Sequence, residues 1–160
     1  DLNDITACGH SMGGHVVLQS ATKLPSRFKH ILLLDPVIFS PDSRDPAQTD
    51  PAKSPIASRR NEWASADEMF SRFNSRPPFS DSGNGLLLEY LSSITATVKI
   101  LRVKERTPED APFDFRPSAT YKGLVGLIPG ATENYLPDHT HFIPMEDPYL
   151  VAEEIKSLDT

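Results

Sequence analysis

The sequence has 160 residues, of which 38% are hydrophobic and 24% charged, enough for one folded domain, or part of one, with a sizeable apolar core. It carries 16 Lys and Arg against 22 Asp and Glu, a net charge of −6, and no basic cluster interrupts this acidity. We therefore expect no nucleic-acid partner. No apolar run approaches the ~20 residues that a membrane-spanning helix needs. The single cysteine excludes an internal disulfide framework and a thiolate zinc cluster.

The N-terminal part of the sequence has the pattern of a βαβ unit. Residues 4–8 predict a short buried strand, and apolar residues at helical spacing follow over 12–24. A continuous apolar run over 30–34 then predicts a strand that is covered on both faces, as in parallel sheets. Within the first strand, Cys8 is expected to pack in the core as a small apolar residue.

Residues 36–93 interrupt this alternation. Five of the 15 prolines fall between Pro36 and Pro55, and each removes a backbone donor and restricts the residue before it, which excludes a regular helix there. A capping box at 65–68 predicts the start of one helix, and a second helix is predicted over 86–91. We expect a helical cap over a pocket, whose apolar side chains either line the pocket or pack against each other: Trp63, Met69, Phe70 and Phe73.

The rest of the chain returns to strands and helices. Strands are predicted over 97–103 and 132–136, and helices over 118–128 and 147–158. We therefore expect an α/β core formed by residues 1–35 and 94–160, with residues 36–93 inserted between its two parts.

The sharpest motif is GHSMGG at residues 9–14, which contains the pattern G-x-S-x-G between a predicted strand and a predicted helix. The flanking glycines permit a tight turn that holds Ser11 in strained backbone geometry. Its hydroxyl would project above the sheet at a helix N-terminus, where the backbone amide of Met12 can help to hold an oxyanion. The alternative is a glycine-rich turn with an incidental serine.

GHSMGG, the LLLDPV run at 32–37, the proline-rich insertion and THFIPMEDP at 140–148 together resemble the α/β-hydrolase superfamily. The resemblance is closest to its esterase- and lipase-like members with a helical cap. It implies a partial parallel sheet flanked by helices, corresponding to the C-terminal half of the family's fold. Family members usually carry further strands and a second oxyanion donor before this turn. Nothing here matches them, so we expect Asp1 to lie inside a larger domain.

A serine hydroxyl needs a neighbouring base to become a good nucleophile. The resemblance implies the order Ser, acid, His, and His141 matches the family's base because it follows the last predicted strand, with His139 as the alternative. These two histidines would otherwise suggest a metal pair, but no carboxylate or cysteine joins them at recognisable spacing, so no metal site is predicted. Structural roles are expected for His10, His15 and His30.

The acid has several candidates. The family most often places it in a turn after the penultimate strand, where this chain has Thr107, with Glu105 and Asp110 nearby. A subset of the superfamily instead places it after the strand that follows the nucleophile helix, and Asp35 occupies that position. A carboxylate that ends an apolar strand needs a partner, since burying it alone is costly. The partner is either the imidazole of His141 or the amides of its own turn, and we place Asp35 ahead of the other two.

The predicted activity is hydrolysis of a small, partly apolar carboxylic ester, or less favourably an amide or thioester, through an acyl-enzyme on Ser11 and without a cofactor. One alternative is a truncated or catalytically silent relative that acts, if at all, as an interaction domain. A second is an acyltransferase, in which an alcohol or thiol replaces water. We expect a cytoplasmic location. The C-terminal SLDT has no peroxisomal tripeptide, and a leader could precede Asp1 in a longer chain.

Overall fold

The computed structural model describes residues 2–40, 84–110 and 114–159. The predicted capping box and the predicted apolar cap residues, from Trp63 to Phe73, lie outside these ranges, so the domain boundaries stay a prediction. No helix in the described part of the chain is both long and apolar enough to cross a bilayer.

The core is a sheet of four strands in the order β1-β2-β3-β4, and every neighbouring pair is parallel. The strands are β1 (Ile5–His10), β2 (Phe28–Leu34), β3 (Thr97–Val103) and β4 (Thr132–Leu136). The predicted α/β class is therefore confirmed. Because parallel strands place their carboxyl ends along one edge, the segments that follow all four strands meet on the same side.

Helices flank this sheet. They are α1 (Met12–Lys23), α2 (Asn84–Tyr90), α3 (Ile143–Glu146) and α4 (Pro148–Lys156). Short 3₁₀ turns lie at Pro25–Arg27, Leu91–Ser93, Leu124–Leu127 and Ser157–Asp159. The start of α4 follows from the sequence, since the side chain of Asp147 accepts a hydrogen bond from the amide of Leu150 at 2.9 Å, ahead of a proline in the first turn.

Two apolar clusters cover the two faces of the sheet. On β2, alternate residues divide between them: Ile31 and Leu33 join one cluster, and Leu32 and Leu34 join the other. All four are buried, which explains why β2 reads as a continuous apolar run. The first cluster also includes Ile38, four residues after the end of β2.

Two local predictions are wrong. The segment 118–128 is helical only in the 3₁₀ turn at Leu124–Leu127, because Thr120 forms a parallel bridge with Ile38 and the two residues before it belong to no helix or strand. Cys8 is exposed rather than buried. In the described sheet β1 is an edge strand, and its neighbour Ala7 faces the apolar cluster, so the Cys8 side chain points to the opposite face.

Candidate active site

Ser11 lies in a strained turn between the end of β1 and the start of α1. Its φ is 57° and its ψ is −125°, in the region that residues with a side chain rarely adopt. The turn is held by backbone hydrogen bonds from the Ser11 amide to the Leu34 carbonyl and from the Val37 amide to the Ser11 carbonyl, each of 3.1 Å. The expected strained geometry is therefore present.

At two positions of the GHSMGG motif only glycine fits, because a Cβ atom there would clash with neighbouring atoms. A Cβ on Gly9 would lie 2.7 Å from the carbonyl oxygen of Gly13, and one on Gly14 would lie 2.7 Å from the Cβ of Pro36. A Cβ on Gly13 would meet no atom of the described residues within 4 Å. Gly9 is thus required where β1 approaches the start of α1, and Gly14 where α1 approaches Pro36 after β2, whereas the G-x-S-x-G pattern points to Gly9 and Gly13.

The structure brings Ser11, His141 and Asp35 together. The Nε2 atom of His141 lies 2.9 Å from Ser11 Oγ, and its Nδ1 atom lies 2.6 Å from Asp35 Oδ2. Ser11 follows β1, Asp35 follows β2, and His141 lies in the loop after β4, so the contact joins three strand ends. The Asp35 side chain is fully buried and that of His141 is 12% exposed.

The Asp35 carboxylate accepts hydrogen bonds from five groups. They are His141 Nδ1, the hydroxyls of Ser118 and Thr120, and the amides of Val103 and Ala119. Burial by itself raises the pKa of Asp35, but the hydrogen bonds from His141 and Ser118 outweigh it, so the pKa lies below its usual value. Asp35 is therefore ionised at neutral pH and holds a proton on Nδ1 of His141.

The other predicted acids lie elsewhere. Glu105 accepts a hydrogen bond from the buried Arg102 at 2.8 Å, and Asp110 accepts one from the amide of Thr107 at 2.6 Å. No contact joins either carboxylate to His141 within the described residues. The bonds from Thr107 lower the pKa of Asp110, which is the behaviour of a turn-capping carboxylate.

The loop that carries His141 is anchored on both sides. The His141 amide donates to the Arg116 carbonyl at 2.7 Å, and the Lys104 amide donates to the His139 carbonyl at 3.1 Å. The Glu146 carboxylate accepts from both the amide and the hydroxyl of Thr140, and these bonds lower the pKa of Glu146. The backbone of the His141 loop is thus held at a fixed position over the sheet edge.

The side chains of the other four histidines make no hydrogen bond to Ser11 or His141 within the described residues, with one exception. His15 is buried in α1, and its Nδ1 atom lies 3.3 Å from the Val37 carbonyl oxygen. His30 lies near the start of β2, at the opposite end from Asp35. The Nε2 atom of His139 lies 3.6 Å from Asp147 Oδ2. The exception is His10, whose Nε2 atom lies 2.7 Å from the backbone carbonyl oxygen of His141.

Met12 is the first residue of α1, directly after Ser11. A backbone amide in the first turn of a helix has no acceptor within the helix, so the Met12 N–H is available beside the serine hydroxyl. Across the parts of the chain with described positions, no group of three or more His, Cys, Asp or Glu side chains is arranged to hold a metal ion.

Sequence reasoning missed three side chains of this site, namely Ser118, Thr120 and His10. The two hydroxyls lie more than 80 residues from Asp35, in a segment that looks helical, so no local pattern indicates them. His10 does have a signal, its place directly before Ser11, but neighbouring position alone does not reveal a contact with a residue 131 positions away.

The comparisons with known proteins agree with this architecture. The family model described as "Alpha/beta hydrolase family" matches residues 1–154. No curated protein matches the chain. Among solved structures, similar ones include Est816, described as an N-acyl homoserine lactone degrading enzyme, with 20% identity, a TM-score of 0.59, and coverage of 98% of this chain and 68% of that one.

Two further similar structures come from named organisms. A thermophilic esterase from Thermogutta terrifontis has 21% identity and a TM-score of 0.59, and the match covers 97% of this chain and 64% of that one. A monoacylglycerol lipase from Paleococcus ferrophilus has 17% identity and a TM-score of 0.58, with 98% and 66% covered. The chain spans about two thirds of the length of these structures, and at such identities they show the fold. Together with the family match, the parallel sheet and the elbow turn establish that the chain belongs to the α/β-hydrolase family.

Proposed function

We propose that this chain carries the catalytic triad of a serine hydrolase that cleaves carboxylic esters. Ser11 is the nucleophile, His141 the general base and Asp35 the acid. The observation that carries the proposal is the continuous hydrogen-bonded series from Ser11 Oγ through both ring nitrogens of His141 to the buried Asp35, with distances of 2.9 and 2.6 Å.

The first half of the reaction follows from proton positions. Because the ionised Asp35 accepts from Nδ1, the neutral imidazole of His141 has its free electron pair on Nε2, facing the Ser11 hydroxyl. Nε2 takes the hydroxyl proton as Ser11 Oγ attacks the ester carbonyl. The imidazolium that forms is stabilised by Asp35, and the Met12 amide donates one hydrogen bond to the developing oxyanion.

The second half returns the proton. The imidazolium of His141 protonates the departing alcohol, which leaves an acyl group on Ser11. A water molecule then gives its proton to Nε2 and attacks the acyl carbonyl, and collapse of this second tetrahedral intermediate releases the acid and restores the serine. The esterase and lipase descriptions of similar structures support an ester rather than an amide as the substrate.

Labelling by a fluorophosphonate probe tests the nucleophile in the intact protein. Wild type is expected to label and to hydrolyse a short p-nitrophenyl ester, whereas Ser11→Ala is expected to lose labelling and at least roughly 10³-fold in kcat. Ser20→Ala is the matched control, because Ser20 lies in the second half of α1 and its hydroxyl donates to the Val16 carbonyl.

Two outcomes contradict the proposal. Undiminished labelling of the Ser11→Ala variant would show that another residue is the nucleophile. Wild-type protein that is folded but neither labels nor turns over would favour the catalytically silent alternative. Product analysis with a competing alcohol separates hydrolysis from acyl transfer, because a hydrolase gives the free acid as the main product.

A further inference from the structure

The side chain of His10 lies between the nucleophile strand and the loop of the proposed base. His10 is the last residue of β1 and directly precedes Ser11. Its Nε2 atom lies 2.7 Å from the backbone carbonyl oxygen of His141, and the two imidazole rings have centroids 4.9 Å apart with an angle of 39° between their planes. The two histidines are therefore in direct contact through both a hydrogen bond and their rings.

The direction of this hydrogen bond is fixed by its partners. A carbonyl oxygen only accepts, so the Nε2 atom of His10 must carry the proton and donate it. A neutral His10 then has Nδ1 unprotonated, the opposite tautomer to that of His141, whose Nδ1 faces Asp35. The structure thus assigns complementary tautomers to two adjacent imidazoles.

Two backbone hydrogen bonds of the His141 loop lead to neighbouring loops. The His141 amide binds the Arg116 carbonyl, and the His139 carbonyl binds the Lys104 amide. The bond from His10 instead ties the backbone of His141 to the strand end that carries Ser11. It therefore acts on the separation between Ser11 Oγ and the Nε2 atom of His141, which a contact to another loop would constrain only indirectly.

We propose that His10 is a positioning residue, whose Nε2–H group holds the backbone of His141 at reacting distance from Ser11. This inference rests on the proposed triad. The sequence analysis expects only a structural role for His10. Small displacements of a base from its nucleophile reduce the rate of proton transfer much more than they reduce substrate binding, so the effect should fall on kcat.

Four variants test the hydrogen bond against mere packing. Gln places its amide nitrogen close to the position of Nε2 in His, whereas Asn is one methylene too short and Phe keeps the ring without a donor. We expect His10→Asn and His10→Phe to lower kcat about tenfold with KM changed by less than about twofold, while His10→Gln stays within about threefold of wild type. His30→Gln is the control, because His30 lies near the other end of the sheet.

Proton NMR supplies a readout that does not depend on turnover. The Nδ1–H of His141, in its 2.6 Å bond to Asp35, is expected to give a far-downfield resonance in wild type, His10→Gln and His30→Gln. In His10→Asn and His10→Phe this proton should exchange with water at least about tenfold faster, because the loop is released. Nitrogen-15 shifts should report the Nε2–H tautomer for His10.

Several results would overturn the inference. Equal losses of kcat in the Gln, Asn and Phe variants would mean that the imidazole acts by packing, and wild-type kcat and exchange in the Asn variant would mean that the bond does not position the base. If Ser11→Ala retained full turnover, the proposed triad would fail, yet the exchange rate of the His141 proton would still decide the contribution of His10. The Asn and Gln variants keep the test informative if the Phe variant does not fold.

Discussion

At the scale of single residues, the carboxylate of Asp35 is the most constrained group of the site. It is fully buried, and its donors come from the carboxyl end of β3, from the segment at 118–120 and from the His141 loop. A buried carboxylate with this many donors stays ionised and cannot rotate, so it fixes both the orientation and the tautomer of His141.

Replacement of the Asp35 carboxylate should therefore lower kcat. Asp35→Asn keeps the shape but presents an amide that can donate to Nδ1, so His141 is expected to adopt the wrong tautomer and kcat to fall by roughly 10³–10⁴-fold. Steady-state hydrolysis of a p-nitrophenyl ester measures this. Glu105→Gln and Asp110→Asn are the matched controls, expected within about threefold of wild type. An equal loss in Glu105→Gln would move the acid to the loop after β3.

At the scale of elements, the elbow turn depends on close contact between α1 and the end of β2. The two glycines at its helical side differ in their surroundings: Gly14 faces the Cβ of Pro36, and Gly13 faces no described atom within 4 Å. A methyl group is thus excluded at one position and tolerated at the other, although both positions are glycine in the motif.

Alanine at these two positions should affect the free energy of unfolding differently. We expect Gly14→Ala to lower the free energy of unfolding by about 1–3 kcal/mol, because the new methyl group must displace Pro36. Gly13→Ala should leave it unchanged or raise it by up to about 1 kcal/mol, since alanine favours helix over glycine. Urea unfolding of both variants measures the difference, and equal destabilisation by both would show that Gly13 is crowded as well.

The conformation of the segment at 118–120 is determined by contacts with residues that are distant in sequence. The hydroxyls of Ser118 and Thr120 both donate to Asp35, and the Tyr121 amide donates to the Ile38 carbonyl at 2.6 Å. A helix over this segment would satisfy its own backbone but would leave a buried carboxylate without these donors. The tertiary contacts therefore outweigh the helical pattern.

At the scale of the whole molecule, the candidate site joins parts of the chain that are far apart in sequence. The Ser11–His141 contact spans 130 residues and the Asp35–His141 contact spans 106. Parallel strands make this possible, because the carboxyl ends of β1, β2 and β4 open on the same edge. The site therefore exists only where these strands are paired.

The environment of Asp35 in this site predicts how the free energy of unfolding changes at acidic pH. The pKa of Asp35 is lower in the folded than in the unfolded chain, so its contribution to stability is complete above the unfolded value of about 4 and is lost as the pH falls through the folded value. We expect the free energy of unfolding of wild type to decrease more steeply with acid than that of Asp35→Asn. Urea titrations at several acidic pH values compare the slopes. Parallel slopes would mean that Asp35 titrates alike in both states.

The sequence alone determined the local features of this protein, and the folded chain decided which distant groups meet. The strand β2, the helix α1 and the elbow at Ser11 follow from apolar periodicity, a glycine-rich turn and a terminating proline, all of which act within a few residues. Only the tertiary structure decides that Asp35 rather than Glu105 is the partner of His141. Each carboxylate follows an apolar strand, and their distances to the imidazole depend on how the strands and loops are arranged in space. The exposure of Cys8 depends likewise on the strand order, and the hydrogen bond from His10 to His141 depends on loop packing. Neither feature produces a periodic pattern in the sequence from which it could be predicted.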